Sequence, residues 1–272
     1  MRMAETTPSW MRISRLLREL GTKFEEITRR EGIRNVVVVT RDIVDYFTDI
    51  ARATDRVEMG GFLLGRFLSN HARIFLFHDY VQVENVSIEP DISYLPNRSA
   101  MEEVFTMLKE GRYDIATMMH THPDESAFSH LDLYSGRSLS EELWETMEST
   151  KYPEKLWKEV RAEVLRKRPC LYIPDFLVTG GYNPVLYVYA YAVPFIFTAA
   201  ADGRGVSSWY KSKRLCSEFK EHCKFLEERT IEDVEEDIIP ERELTYVLDC
   251  IYDCYFVAIP IKRLEKLLPP EV

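Results

Sequence analysis

Residues 114–132 read DIATMMHTHPDESAFSHLD. The first six predict a buried strand that delivers the chain to His120. On extended backbone, residues two apart share a face, so His120 and His122 can aim both imidazoles at one point. Pro123 strengthens this, because the residue before a proline is pushed towards extended geometry. The whole chain has six histidines, and half of them sit in HTHPDESAFSHLD. Two neutral imidazoles so placed suit zinc.

Outward from this stretch, strands and helices mix without strict alternation. Residues 9–31 predict an amphipathic helix through Trp10, Ile13, Leu16, Leu17, Leu20, Phe24 and Ile27, stopped by Gly32. VVVV at 36–39 predicts a buried strand, after which Thr40 is expected to cap a helix through Ile43, Tyr46, Phe47 and Ile50. Strands are expected over 62–67 and 74–83, an irregular loop over 85–98, and a helix over 99–109. Helices are expected over 129–149, 154–167 and 207–229. Residues 176–201 carry no charge, yet they hold Gly180, Gly181, Pro184 and Pro194 and alternate through Tyr187, Tyr189 and Tyr191. That pattern predicts a hairpin or adjacent strand pair, not a membrane span. The fold class expected is α/β of the α+β type, a mixed, largely antiparallel sheet flanked by helices.

Composition narrows the function. The 272 residues carry a net charge of -10, and no basic run interleaved with aromatics stands out, which speaks against nucleic acid as a partner. The start, MRMAETTPSW, has no signal-peptide core, and a cytoplasmic protein without membrane contact is expected. The five cysteines, 170, 216, 223, 250 and 254, form no C-x-x-C pair and are expected to be buried thiols.

A catalytic zinc needs a third protein ligand and an open position. Asp132 lies far enough beyond His122 for the chain to turn and return a carboxylate. Taken alone, S-x-x-D at Ser129–Asp132 reads rather as a helix N-terminus, with Ser129 as cap and Asp132 in the first turn. A distant segment bears on the choice. Glu58 opens EMGGFLLG, where glycines permit a close backbone approach and an acid at a strand entrance can face a cleft.

Together these segments resemble the JAMM (MPN-type) metalloprotease family. Glu58, Gly61 and Gly65 fit its glutamate segment; His120, Thr121, His122, Pro123, Ser129 and Asp132 fit its H-[ST]-H-P and S-x-x-D segments. Asn85 in VQVENVSIEP resembles the family's strand end before a variable loop. Asp132 stands one residue closer to Pro123 than in the usual pattern, and Phe128 precedes Ser129 where a proline is common. The shortening falls in the 124–128 loop and makes Ser126 a substitute candidate for Ser129.

The resemblance implies the JAMM/MPN (cytidine-deaminase-like) fold over residues 35–200, with an insertion near 150–168. It leaves an N-terminal helical extension, 1–34, and a helical, acidic extension, 201–272, packing on or beside the core. It implies one Zn²⁺ per chain held by His120, His122 and Asp132, Glu58 as general base, and Ser129 stabilising the oxyanion. The implied activity is hydrolysis of the isopeptide or peptide bond after the tail of ubiquitin or a ubiquitin-like protein, whose conjugates would be the partners. Loop 85–98 and the 150–168 insertion are the expected groove walls. Asp124, Glu125 and His130 are expected to be solvated. A non-catalytic scaffold or assembly subunit of the same fold, a nucleic-acid-associated member, and a homodimer or larger assembly remain open alternatives.

Overall fold

The run NVVVVT is apolar throughout because both of its faces are covered. In the computed structural model, which describes residues 9–69, 73–127, 132, 174–191, 194–201, 206, 208–214 and 254–269, it forms strand β1 (Asn35–Thr40), buried at every residue. Its side chains alternate between two cores. Val37 and Val39 join the larger cluster with Phe75, Phe77, Phe195 and Phe197, while Val36 and Val38 join a second with Ile74, Leu76 and Ile196.

A helix closes each face. The first, α1 (Ser9–Glu31), lays Leu16, Leu20 and Phe24 into the second cluster, each fully buried. Burial on that scale is worth about 1.5–3 kcal/mol per side chain. The second, α2 (Arg41–Ala53), puts Ile43, Val44, Phe47 and Ile50 into the larger cluster. Thr40 occupies the N-cap position of α2 as expected, but its hydroxyl makes no capping bond.

The remaining strands are β2 (Gly60–Ser69), β3 (Arg73–Val83), β4 (Ile115–His122), β5 (Asp175–Thr179), β6 (Val185–Tyr191), β7 (Phe195–Ala200), β8 (Tyr210–Lys211), β9 (Lys213–Arg214) and β10 (Cys254–Pro260). Helix α3 (Arg98–Lys109) lies between β3 and β4, and a short helix, Ile261–Leu264, follows β10. One sheet holds all ten strands in the order β8-β7-β1-β3-β2-β4-β5-β6-β10-β9. The pairings β1–β3, β1–β7 and β4–β5 are parallel; the others are antiparallel. The protein is thus an α+β fold built on one large mixed sheet.

The two edges of this sheet, β8 and β9, are separated in sequence by Ser212 alone. Laid flat, ten strands at about 4.8 Å spacing would set the edges about 43 Å apart. Two peptide steps span at most about 7.6 Å. The sheet therefore curls round until one short strand serves both edges. Ser212 itself donates its N–H to Phe195 O at 2.9 Å and accepts from Phe195 N at 2.8 Å through its hydroxyl.

Three expectations change here. The expected helix over 207–229 begins instead as strand: residues 210–214 supply backbone partners to β7 on one side and β10 on the other, an edge-to-edge demand that local helix propensity does not reveal. The uncharged stretch 176–201 contains three strands, not two. β5 and β6 form the hairpin, turning at Gly181 with φ 77, whereas β7 crosses to pair with β1. Lastly, β10 is an internal strand between β6 and β9, so residues 254–260 complete the sheet. The helices expected over 129–149 and 154–167, the insertion near 150–168, Ser129, His130 and Cys170, Cys216, Cys223 and Cys250 lie outside the described residues.

Candidate metal centre

The register between β2 and β4 brings Glu58 to the histidines. Gly60 pairs with His120 and Gly61 with Met119. Thr121 N donates to Met59 O at 2.7 Å, which carries the ladder one step further. Continuing it, Glu58 comes opposite His122, on the face that His120 and His122 share by strand periodicity. A separation of sixty-four residues in sequence thus becomes a cross-strand neighbourhood.

Thr121, between the histidines, points the other way and secures this alignment. Its buried hydroxyl accepts from Met59 N at 2.9 Å and meets Thr54 Oγ1 at 2.8 Å. Thr54 gives its own proton to Val57 O at 3.0 Å, so Thr121 donates to Thr54. Asn85 holds the other side: its Nδ2 donates to Glu58 O and Ser93 O, each at 2.9 Å, and its Oδ1 accepts from Ser87 N and Leu95 N, each at 3.0 Å. Glu58 N donates to Pro90 O at 2.6 Å. The segment bearing Glu58 is therefore bound to the 85–96 loop as well as to β4.

Gly60 and Gly61 have spatial reasons to be glycine. A Cβ at Gly60 would stand 2.6 Å from Met119 O and from the Tyr94 ring; one at Gly61 would stand 2.0 Å from Val81 O. Tyr94 uses the space over Gly60 to stack on the His120 ring, with centroids 6.3 Å apart and planes 8° from parallel.

The donor atoms form a tight set. His120 Nε2 and His122 Nε2 are 3.3 Å apart, and the two oxygens of Asp132 lie 3.4 Å from His120 Nε2 and 3.3 Å from His122 Nε2. Tetrahedral zinc with bonds of about 2.05 Å separates its ligands by about 3.3 Å. The three edges match that spacing. Glu58, His120 and His122 also offer donor atoms all within 4.8 Å of one another. Glu58 Oε1, however, is 3.8 Å from His122 Nε2, and Oε2 has no hydrogen-bond partner among the described residues. Asp132 thus stands at the spacing a third ligand would need, and Glu58 lies just outside that set. These residues fit zinc.

His122 is oriented by the loop that follows it. Its Nδ1 lies 3.1 Å from Ser126 O and 3.0 Å from Ser126 Oγ. A carbonyl only accepts, so Nδ1 carries the proton and Nε2 keeps its lone pair for a metal. Ser126 in turn donates its hydroxyl and its N–H to Asp124 Oδ1. Those bonds hold the Asp124 carboxyl below its ordinary value. Ser126 thus supports a histidine, a role that the sequence pattern did not indicate. Asp124 and Glu125 are exposed, as expected, although Glu125 Oε1 also accepts from Asn183 N at 3.0 Å.

Charge follows from burial. Glu58 is 5% exposed, and burial above all, opposed by His122 and reinforced by Asp132, Asp124 and Asp91, pushes its carboxyl up to about 7. Burial works against a proton on His122, but Asp132 and Glu58 outweigh it and raise the imidazole above its ordinary value. A carboxyl near neutrality beside a ligand set can both take and return a proton at physiological pH.

No family model matches the chain, and no curated protein matches it. Among solved structures it is similar to the solution structure of protein DSY2949 from Desulfitobacterium hafniense, at 16% identity and a TM-score of 0.36, over 57% of this chain and 84% of that one. Among the described residues no helix is long and apolar enough to cross a membrane.

Proposed function

We propose that this protein is a zinc-dependent peptidase of the JAMM (MPN) type, cleaving the isopeptide or peptide bond after the C-terminal tail of a ubiquitin-like protein. The observation that carries this reading is the donor triangle of His120, His122 and Asp132, with edges of 3.3–3.4 Å and Glu58 just outside it. Bound zinc supplies Lewis acidity to a water and to the scissile carbonyl. Glu58 takes the proton of the attacking water and returns it to the leaving amine. His122 is kept in the ligating tautomer by Ser126, and Tyr94 covers His120. Ser129 keeps its place as the oxyanion donor implied by the motif.

The substrate class rests on the family resemblance and on one surface feature. Loop 85–96, tied to Glu58 through Asn85 and Pro90, exposes Ile88, Ile92 and Leu95 beside the site. An extended Gly-Gly tail could lie along such a wall, held by backbone hydrogen bonds to the loop. The test is zinc content together with cleavage of a ubiquitin-like fusion after its Gly-Gly tail. About one zinc per chain and cleavage at that bond support the reading. Zinc-loaded protein inert on fusions and conjugates would support the scaffold alternative instead.

A further inference from the structure

A second cleft lies at the far end of β2, eight residues from Glu58, or up to about 26 Å at strand rise. Its volume is about 830 Å³, within the range of small-molecule sites. Thr40 and His78 both line it. Strands β1 and β3 run parallel with Val39 beside Phe77, so Thr40 and His78 are the next pair in register. Thr40 is 3% exposed, and its hydroxyl has no partner among the described residues; the same holds for His78 Nε2. Two neighbouring buried polar atoms left unmatched in one cleft signal an absent ligand, because each such group is expensive to desolvate unpaired.

The cleft also presents donors. Thr40 occupies the N-cap of α2, a helix of 13 residues, without bonding to its first turn, so those N–H groups receive no side-chain cap from it. Their partial positive charge opens onto the same cleft. Arg12, half-buried, and Arg112, exposed, also line it, and neither forms an ion pair among the described residues. Two of the carboxylates there are already engaged. Asp114 receives Arg66 Nη1 at 2.9 Å and Phe67 N at 3.3 Å. Asp79 receives the Tyr113 hydroxyl and Tyr80 N. Asp42 stays exposed at the rim, next to an adjoining groove that adds Asp45 and Asp49 and so favours the opposite charge. An anion therefore belongs on the arginine side.

We infer that this cleft binds a phosphorylated small molecule, its phosphate seated on the N-terminus of α2 against Thr40, His78, Arg12 and Arg112. A phosphate that retains one P–OH offers His78 a donor as well as acceptors for Thr40 and the arginines, which sulfate does not. Neither zinc nor the Glu58 site takes part, so the inference stands or falls apart from the proposed peptidase activity.

The test uses the full chain, with inorganic pyrophosphate, inorganic phosphate and sulfate as probes, followed by calorimetry and by amide shifts at Thr40–Ile43. Pyrophosphate is expected to bind with Kd of about 1 mM or tighter, ahead of sulfate. Thr40→Val and Arg112→Gln should each weaken it roughly tenfold, a loss of about 1.4 kcal/mol, while thermal melting shows that both variants remain folded. Zinc content and peptidase activity should be unchanged in both. No pyrophosphate binding, equal binding of sulfate, or wild-type affinity in both folded variants would overturn the inference.

Discussion

Glu58 Oε1 stands 3.8 Å from His122 Nε2, while Asp132 Oδ2 stands 3.3 Å from the same atom. On the proposed reading, that half-ångström divides two carboxylates into two roles. Asp132 sits at ligand spacing, and Glu58, more deeply buried, sits where it can exchange a proton with a neighbouring water.

Glu58→Gln should therefore retain zinc and lose hydrolysis by about 10²–10⁴-fold in kcat, the range expected for loss of a general base. Metal analysis and turnover of the same preparation check this. A fully active variant would remove Glu58 from the mechanism.

Asp132→Ala and Ser126→Ala should both act on the metal, to different degrees. The first removes a ligand and should leave the protein largely zinc-free after dialysis. The second removes the hydroxyl beside His122 Nδ1 but keeps the Ser126 carbonyl, and should weaken zinc binding by less than the about 10–100-fold expected for full loss of a ligand's supporting partner. Competition with a chromophoric chelator reads both; unchanged zinc affinity in Asp132→Ala would return that residue to a helix-cap role.

Zinc-free protein should lose stability as pH rises from about 5 to about 7. Glu58 titrates near 7 when folded, against an ordinary 4.5, and His122 is also raised. Both groups hold protons in the folded state that the unfolded chain releases earlier, so the folded state is favoured below these values and loses that advantage as pH climbs through them. Zinc, a nearby positive charge, should depress both values and flatten the dependence. Melting temperatures across that range, with and without zinc, show whether the slope has this sign.

Thr121→Val should destabilise the fold by about 1–3 kcal/mol, because Met59 N is left without a buried partner and Thr54 Oγ1 keeps only Val57 O. The loss should extend to activity, since Met59 sets the position of Glu58. Chemical denaturation and kcat measured together test both parts.

What the sequence made legible followed backbone periodicity. The alternation that places His120 and His122 on one face and Val36 to Val39 in two cores can be read from spacing alone, and both are found. Glu58 could be linked to the histidines only by resemblance, because the register that unites them is a long-range pairing. Residues 210–214 carry a local helix pattern yet form strand for a similar reason: their structure is dictated by the edges of β7 and β10, contributed from elsewhere in the chain. The unpartnered hydroxyl of Thr40 is a third case. The local pattern of a helix start was right, but the cleft that leaves its side chain unmatched is assembled from α1, β2, β3 and the turn before β4.

The curled sheet also constrains the order of assembly. Pairing β1 with β7 joins Asn35 to Phe195, and inserting β10 joins Tyr255 to Ala190 and to Arg214. Contacts of such separation are slow to form, because loop closure must precede their reward. On the ribosome, β1 to β6 can emerge long before the strand that covers β6, leaving its edge open to other chains until residues 254–260 arrive. Conditions of synthesis that lengthen this interval should raise aggregation without altering the stability of the finished molecule.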